Sequence, residues 1–181
     1  MAIRGAKRAH LHQGANLTHP RISSADPQQS AYDRLAQLGI SLPPPPPPIA
    51  NFVTHVVEGK MLYLSGQGPL DENGTLHAGK VGADVSVDEA YGHARLVGIN
   101  LIAVMQDALG DLSRVKQIVK LLGMVNAVPD FLDHPKVING CSDLFLDVFG
   151  AAGRHARSAV GFGSLPGNIT VEIEAIVALR D

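Results

Sequence analysis

The sequence predicts an α+β domain in the order β-β-α-β-α-β-β, with two helices on one face of a mixed sheet. Short apolar runs between turn-forming residues mark the strands, and apolar residues at three- and four-residue steps mark the helices. The strands predicted at 60–66 and 115–126 are apolar on both faces. Two helices can cover only one face of such a sheet. We therefore expect a second copy of the chain to cover the other, in a homo-oligomer.

Composition narrows the classes of protein to which this chain can belong. The net charge of −2 gives no general attraction to nucleic acid or to an anionic membrane. No apolar run approaches the roughly 18 residues of a membrane span. The single cysteine, Cys141, has no partner for an internal disulfide, which favours a reducing, cytoplasmic setting.

The chain is predicted to have three parts. Residues 1–27 are basic and lack periodicity, so we expect a flexible leader. Residues 28–49 are predicted to form a short helix followed by a polyproline spacer, Pro43 to Pro48. An SH3-type ligand is the alternative, but no basic residues flank the tract. Residues 50–181 form the predicted folded domain.

The first half of this domain should contain two strands and a long helix. We predict strands at 52–57 and 60–66, joined by a tight turn. Ser86 and Glu89 have the spacing of a capping box that opens a long helix, and Gly110 is placed to end it.

The second half should contain the remaining strands and a second helix. A strand is predicted at 115–126, and Pro135 begins a helix that ends at Gly150. From Arg154 to Leu179 we predict a β-hairpin. Its second strand should place Glu172 and Glu174 on one face, because side chains alternate along a strand.

The chemical motifs of common cofactor sites are missing from the sequence. The glycine pairs at 66–68 and 161–163 lack the third glycine and the helix of a dinucleotide site. The histidines have no metal-ligand spacing, so neither a metal nor a cofactor is predicted. Cys141 lies mid-helix on the inward side, which favours a buried apolar role over a nucleophile.

Arg157 differs from the other charged residues. It opens a run of small, uncharged residues with no neighbouring acid in sequence. Its planar guanidinium suits a carboxylate. That carboxylate can belong either to a ligand or to Glu172 or Glu174, and the residues alone leave both alternatives open.

Several sequence blocks together resemble the RidA/YjgF family, also called the L-PSP endoribonuclease or reactive-intermediate deaminase family. The blocks are residues 62–67 (LYLSGQ), 137–139 (VIN), 156–160 (ARSAV), 165–166 (LP) and 171–176 (VEIEAI). The resemblance covers Ala50 to Leu179 and leaves out the leader and the proline tract.

The resemblance implies a chorismate-mutase-like fold and a homotrimer that forms a barrel, with sites in the clefts between subunits. It also implies a reaction: hydrolysis of reactive 2-enamine or 2-imine acids to 2-oxo acids and ammonia, without a cofactor or metal. By position, Arg157 matches the arginine that binds the substrate carboxylate, and Glu172 matches the glutamate that positions or deprotonates water. Ser65, Gly66 and Asn139 match other residues of the same pocket.

Two pocket positions depart from the family pattern. Phe52 stands where the deaminases have a tyrosine, so the pocket loses a hydroxyl, and Ala159 replaces a cysteine. These departures motivate an alternative function, a non-catalytic trimer that binds a small carboxylate or other metabolite. Ribonuclease activity, suggested by the older family name, is disfavoured because no basic patch with interleaved aromatic residues is present.

Overall fold

The computed structural model describes residues 29–48 and 50–181. The predicted leader, residues 1–27, and residues 28 and 49 of the predicted spacer lie outside this range. The helices and strands, in chain order, are α1 (Ala31–Gln37), β1 (His55–Glu58), β2 (Met61–Gln67), α2 (Val87–Leu109), β3 (Val115–Asn126), α3 (His134–Phe149), β4 (Ala156–Phe162) and β5 (Val171–Leu179).

The strands form one five-stranded sheet in the order β1-β2-β5-β3-β4. Strands β3 and β4 are parallel, and every other neighbouring pair is antiparallel. This arrangement confirms the predicted α+β class and the mixed sheet. The predicted hairpin of the last two strands is wrong, because β5 lies between β2 and β3 while β4 forms the edge beyond β3.

The buried side chain of Asn126 explains why the last two strands do not pair. Asn126 ends β3, and its backbone N–H donates to the Thr170 carbonyl (2.9 Å). Its Nδ2 donates to the Gly79 carbonyl (3.1 Å) and to Oδ1 of Asn168 (2.9 Å). The bonds to Asn168 and Thr170 hold the 163–170 connection across the end of β3, so the chain passes over that strand before β5 begins.

The two long helices begin and end as the sequence indicated. At the start of α2, Ser86 Oγ accepts from the Glu89 amide (3.2 Å), and the Glu89 carboxylate accepts from the Ser86 amide (2.8 Å). Gly110 then ends the helix with a φ of 70°, a conformation that favours glycine. Helix α3 begins at His134, one residue before the predicted Pro135, and ends before Gly150.

The α2 and α3 helices pack together on one face of the sheet. Cys141 of α3 is fully buried, and its sulfur lies beside Gly98 of α2. Burial raises the pKa of the Cys141 thiol, so the side chain stays protonated and packs as a small apolar group. Leu62, Leu121 and Ile173 of the sheet are completely buried beneath the helices.

The opposite face of the sheet carries apolar side chains that no described residue covers, and we call it the open face. Register places its members on all five strands: Val56, Tyr63, Leu122, Met124, Val160, Phe162 and Ile176. Tyr63 is 43% exposed and Phe162 is 40% exposed. The expectation that β2 and β3 are apolar on both faces is therefore confirmed.

The segment before β1 is attached to the domain through α1. The Tyr32 hydroxyl donates to Oε1 of Gln106 on α2 (2.6 Å), and Leu35 is buried. The helix begins after its N-cap Ser30, and Gly39 beyond its end adopts a φ of 67° and turns the chain. Several residues of the following proline tract are half-buried. None of the described helices combines the length and apolar character that crossing a membrane requires.

Candidate functional site

A β-bulge in β2 brings the first group of predicted site residues together. Leu64 pairs with Ala175 and Gln67 pairs with Ile173, so Ser65 and Gly66 lie opposite the single residue Glu174. Such a bulge bends the strand and breaks the ladder locally. It leaves the backbone of Ser65 and Gly66 beside the start of β5, where Glu172 lies.

Glu172 lies against Gly66. A Cβ atom at position 66 would overlap the Glu172 carboxyl group, so the missing side chain of glycine makes room for it. Burial raises the pKa of Glu172, and the negative charge of nearby Glu174 raises it further. No hydrogen bond or ion pair from a described residue holds the Glu172 carboxylate. A carboxylate with a raised pKa is a stronger base toward a neighbouring water molecule than an ordinary glutamate.

Ser65 connects the bulge to the segment before β1. Its hydroxyl donates to the Val53 carbonyl (2.7 Å), and its amide donates to the Thr54 carbonyl (3.0 Å). Phe52, 45% exposed, therefore lies near the bulge. The prediction that β1 starts at residue 52 is wrong: β1 begins at His55, and residues 52–54 bend toward Ser65. We call Phe52, Ser65, Gly66 and Glu172 the bulge cluster.

Arg157 is held by neutral groups on α3. Its Nη1 donates to Oδ1 of Asn139 (2.9 Å) and to Oγ of Ser142 (2.9 Å). Among the described residues, no carboxylate lies within ion-pair distance of Arg157, so the predicted alternative of an ion pair with Glu172 or Glu174 is not formed. The two hydrogens of Nη1 are both used, and no described hydrogen bond uses Nη2 or Nε.

Two further residues beside Arg157 were missed from the sequence. The Ser142 hydroxyl and His155 Nε2 share a hydrogen bond (3.0 Å). The other ring nitrogen, His155 Nδ1, contacts the Gly153 carbonyl (2.7 Å). Their distance in sequence from Asn139 and Arg157 could have revealed both residues. Ser142 follows Asn139 by one helical turn, and His155 precedes Arg157 by two residues, so each shares a face with a predicted residue.

Ala159 lies on the same side of β4 as Arg157. It pairs with Gly123 of β3 and packs against the hydrophobic core. We call Asn139, Ser142, His155, Arg157 and Ala159 the clamp cluster. The structure thus groups the predicted site residues into two clusters, one built on the β2 bulge and one built between β4 and α3.

The two clusters lie on opposite faces of the sheet. Arg157 is in register with Leu121, which is in register with Ala175, and both neighbours are buried on the helix-covered face. Glu172 is in register with Met124, which is in register with Val160, on the open face. Because paired residues point to the same side of a sheet, the Arg157 and Glu172 side chains of one protomer leave the sheet on opposite sides.

The histidines do not gather into a metal centre within the described ranges. No group of three or more His, Cys, Asp or Glu side chains has a suitable geometry there. His77 and His93 stack with their ring centroids 4.5 Å apart, and His93 Nδ1 contacts the Thr170 hydroxyl at 3.1 Å. This pair packs the 68–80 loop against α2 and against Thr170, the residue before β5.

Comparison with known proteins places the chain among relatives of the same fold. It is 45% identical to Protein TCP17 of Trypanosoma cruzi over 148 residues, covering 81% of this chain and 92% of that protein. A crystal structure of a protein with unknown function from Agrobacterium tumefaciens is 44% identical, with a TM-score of 0.77 and coverage of 83% and 94%. A putative endoribonuclease from Shewanella oneidensis is 36% identical, with a TM-score of 0.81 and coverage of 83% and 100%.

The family model that matches this chain covers most of the folded domain. It is described as YjgF/chorismate mutase-like, putative endoribonuclease, and it matches residues 32–175. The matched range includes both clusters and confirms the resemblance found in the sequence blocks. The chain therefore belongs to the YjgF/chorismate mutase-like family, also known as the RidA/YjgF family.

Proposed function

We propose that this protein hydrolyses reactive 2-enamine or 2-imine acids to 2-oxo acids and ammonia, in clefts between the subunits of a homotrimer. The observation that carries the proposal is that the Arg157 guanidinium is held in place without a carboxylate partner among the described residues. Its guanidinium is half-buried and fixed by two neutral acceptors, and no described carboxylate neutralises it. An arginine held in this way is prepared to bind the carboxylate of a small acid.

Arg157 would bind the substrate carboxylate through its remaining donors. Nη1 is committed to Asn139 and Ser142, which fixes the plane of the guanidinium. The N–H groups of Nη2 and Nε then form the fork that matches two carboxylate oxygens. Such a bidentate contact fixes the position of the adjacent imine carbon, C2.

Glu172 of a neighbouring copy would activate water. Its raised pKa, caused by burial and then by Glu174, makes the ionised carboxylate a stronger base toward water. The hydroxide equivalent adds to C2 of the imine, and Glu172 returns the proton it took to the former imine nitrogen. The new hydroxyl group then gives its proton to that nitrogen as the C2–N bond breaks, so ammonia leaves and the 2-oxo acid remains. An enamine first becomes the imine by gaining a proton at C3 and losing one from nitrogen. The overall change consumes one water and releases one ammonia, with no change in oxidation state.

The open face supports the oligomer on which this mechanism depends. Apolar residues cross all five strands there, and a second copy would bury them. Tyr63→Lys, on the open face, should convert the oligomer into monomers in size-exclusion chromatography with light scattering. Leu146→Lys, at an exposed site on α3, should leave the oligomer intact. A wild-type protein that is monomeric at micromolar concentration would contradict the proposed clefts.

The reaction itself is tested by generating 2-iminopropionate in solution and following its loss with and without protein. Wild type should accelerate the loss, and Arg157→Ala should not. No acceleration by wild type would reject the enzymatic proposal.

We place this activity in the cytoplasm, because the chain has a single cysteine and needs no disulfide.

A second candidate function is binding of a small carboxylate without turnover. Phe52 motivates it, because an exposed phenyl ring near the bulge cannot supply the hydroxyl found in the deaminases. Calorimetric titration with 2-oxo acids and aromatic acids separates the two candidates. Tight binding without loss of 2-iminopropionate favours the binding protein. RNA included in the same titration checks the endoribonuclease named in the family description.

A further inference from the structure

We propose that Ser142 and His155 position Arg157 through a hydrogen-bond relay in which His155 acts on the guanidinium only by way of the Ser142 hydroxyl. The inference rests on the proposed function to the extent that Arg157 binds a carboxylate. It assigns a task to two residues outside the sequence blocks by which the family was identified. Both would be positioning residues rather than catalytic ones.

The direction of each hydrogen bond in the relay follows from the chemistry of its members. The Gly153 carbonyl can only accept, so the proton of a neutral His155 ring is on Nδ1 (2.7 Å). The Nε2 atom is then an acceptor, and the Ser142 hydroxyl must donate to it (3.0 Å). The Ser142 oxygen is left with lone pairs toward Arg157 Nη1, which donates to it (2.9 Å).

The surroundings of His155 keep the ring in this neutral state. Burial lowers the pKa of His155, and the positive charge of Arg157 lowers it further, although the bond to Gly153 opposes both effects. The ring also meets Phe145 of α3 edge-on, with centroids 6.3 Å apart. Phe145 is fully buried, so the imidazole has a fixed support on one side.

The relay matters because Asn139 alone cannot fix the guanidinium. A single hydrogen bond to Nη1 leaves the group free to rotate about its contact, whereas two acceptors on one nitrogen fix its plane. Asn139 and Ser142 lie on one side of α3, one turn apart, and approach the same nitrogen. His155 orients the second of these acceptors, so its influence on Arg157 passes through one atom, Ser142 Oγ.

A double-mutant cycle on carboxylate binding tests the relay. Pyruvate is titrated calorimetrically into wild type, Ser142→Ala, His155→Phe and the double variant. Phenylalanine keeps an aromatic ring against Phe145 but removes the acceptor. We expect Ser142→Ala to weaken binding about 10-fold and His155→Phe to weaken it somewhat less. The double variant should be no weaker than Ser142→Ala, because the histidine has no other route to Arg157.

Two control variants and two NMR measurements separate positioning from simple packing. Ser142→Thr, which keeps the hydroxyl, should bind pyruvate within about 2-fold of wild type. Ser113→Ala, an exposed serine that hydrogen-bonds to Asp111, should not change binding. Heteronuclear NMR should show slow rotation of the Arg157 guanidinium in wild type and faster rotation in both single variants. The His155 ring should appear as the Nδ1–H tautomer.

The outcomes that overturn the relay differ from those that overturn the deaminase. Additive losses in the double variant, an Nε2–H tautomer, or unchanged guanidinium rotation in His155→Phe would each reject the relay. Failure of wild type to consume 2-iminopropionate rejects the enzyme but leaves the binding cycle readable. If wild type binds no carboxylate, the proposed function fails, and the NMR measurements still decide whether the relay holds Arg157.

Discussion

Arg157 and Glu172 carry the proposed function from opposite faces of the sheet, and the structure treats them differently. Arg157 is fixed by Asn139 and Ser142, and its charge is already solvated by these neutral oxygens. Glu172 has no hydrogen-bond partner among the described residues, and burial together with Glu174 disfavours its ionised form. The first arrangement suits binding, because it fixes geometry. The second suits proton transfer, because the two protonation states are closer in free energy.

The largest effect is expected from removing the fixed charge. Arg157→Ala should lower kcat/KM for 2-iminopropionate about 10³-fold, because two charge-assisted hydrogen bonds to the substrate are lost. Arg154→Ala, at an exposed arginine just before β4, is the matched control and should stay near wild type. Steady-state kinetics on both variants decides this, and an Arg157→Ala enzyme of normal activity would remove the clamp cluster from the mechanism.

A smaller effect, confined to the chemical step, is expected at the second cluster. Glu172→Gln should lower kcat about 10²-fold and change KM little, because the amide cannot accept a proton from water. Glu174→Gln, two residues along the same face, should keep the wild-type rate at its pH plateau. If both variants lost kcat equally, the negative charge of this strand, and not proton transfer by Glu172, would support turnover.

Mixed oligomers test whether the two faces meet across subunits. Arg157→Ala and Glu172→Gln proteins, each of low activity alone, should regain activity when unfolded together and refolded. With random assembly, about a quarter of the clefts would combine an intact arginine with an intact glutamate from different copies. Recovery toward that fraction of the wild-type rate is expected. No recovery, with mixed oligomers confirmed by native mass spectrometry, would place both residues in one protomer's site or in none.

The smallest expected effect is a shift in pH dependence. Glu172 must be ionised to act as a base, and the charge of Glu174 contributes to its raised pKa. Removing that charge in Glu174→Gln should lower the Glu172 pKa, so the acid limb of kcat/KM moves to lower pH. A pH–rate profile of wild type and Glu174→Gln measures the shift. An acid limb that moves upward would show that another group controls it.

Local patterns in the sequence predicted the individual elements well, and longer-range pairing less well. The capping box of Ser86 and Glu89 set the start of α2, and β3 has the predicted bounds of 115–126. The final hairpin failed, because nothing near residues 163–170 in sequence reveals that buried Asn126 will bind their backbone. The polyproline spacer and the leader stay predictions.

The candidate site shows the same division. The sequence predicted the individual site residues, because four sequence blocks resemble those of the family. These blocks contain Ser65, Asn139, Arg157 and Glu172. Ser142 and His155 were missed, although helix and strand periodicity places them beside Asn139 and Arg157. Their contribution depends on distances between β4 and α3, which a one-dimensional pattern does not contain.

By itself the sequence determined the elements, the apolar character of both sheet faces and the identity of the charged residues, because each depends on composition and period along the chain. Only the tertiary structure decided that Arg157 faces the helices while Glu172 faces the open side. That outcome depends on which strands pair and in which register. A shift of one residue would exchange the two faces, and strand pairing is fixed by contacts between segments far apart in the chain.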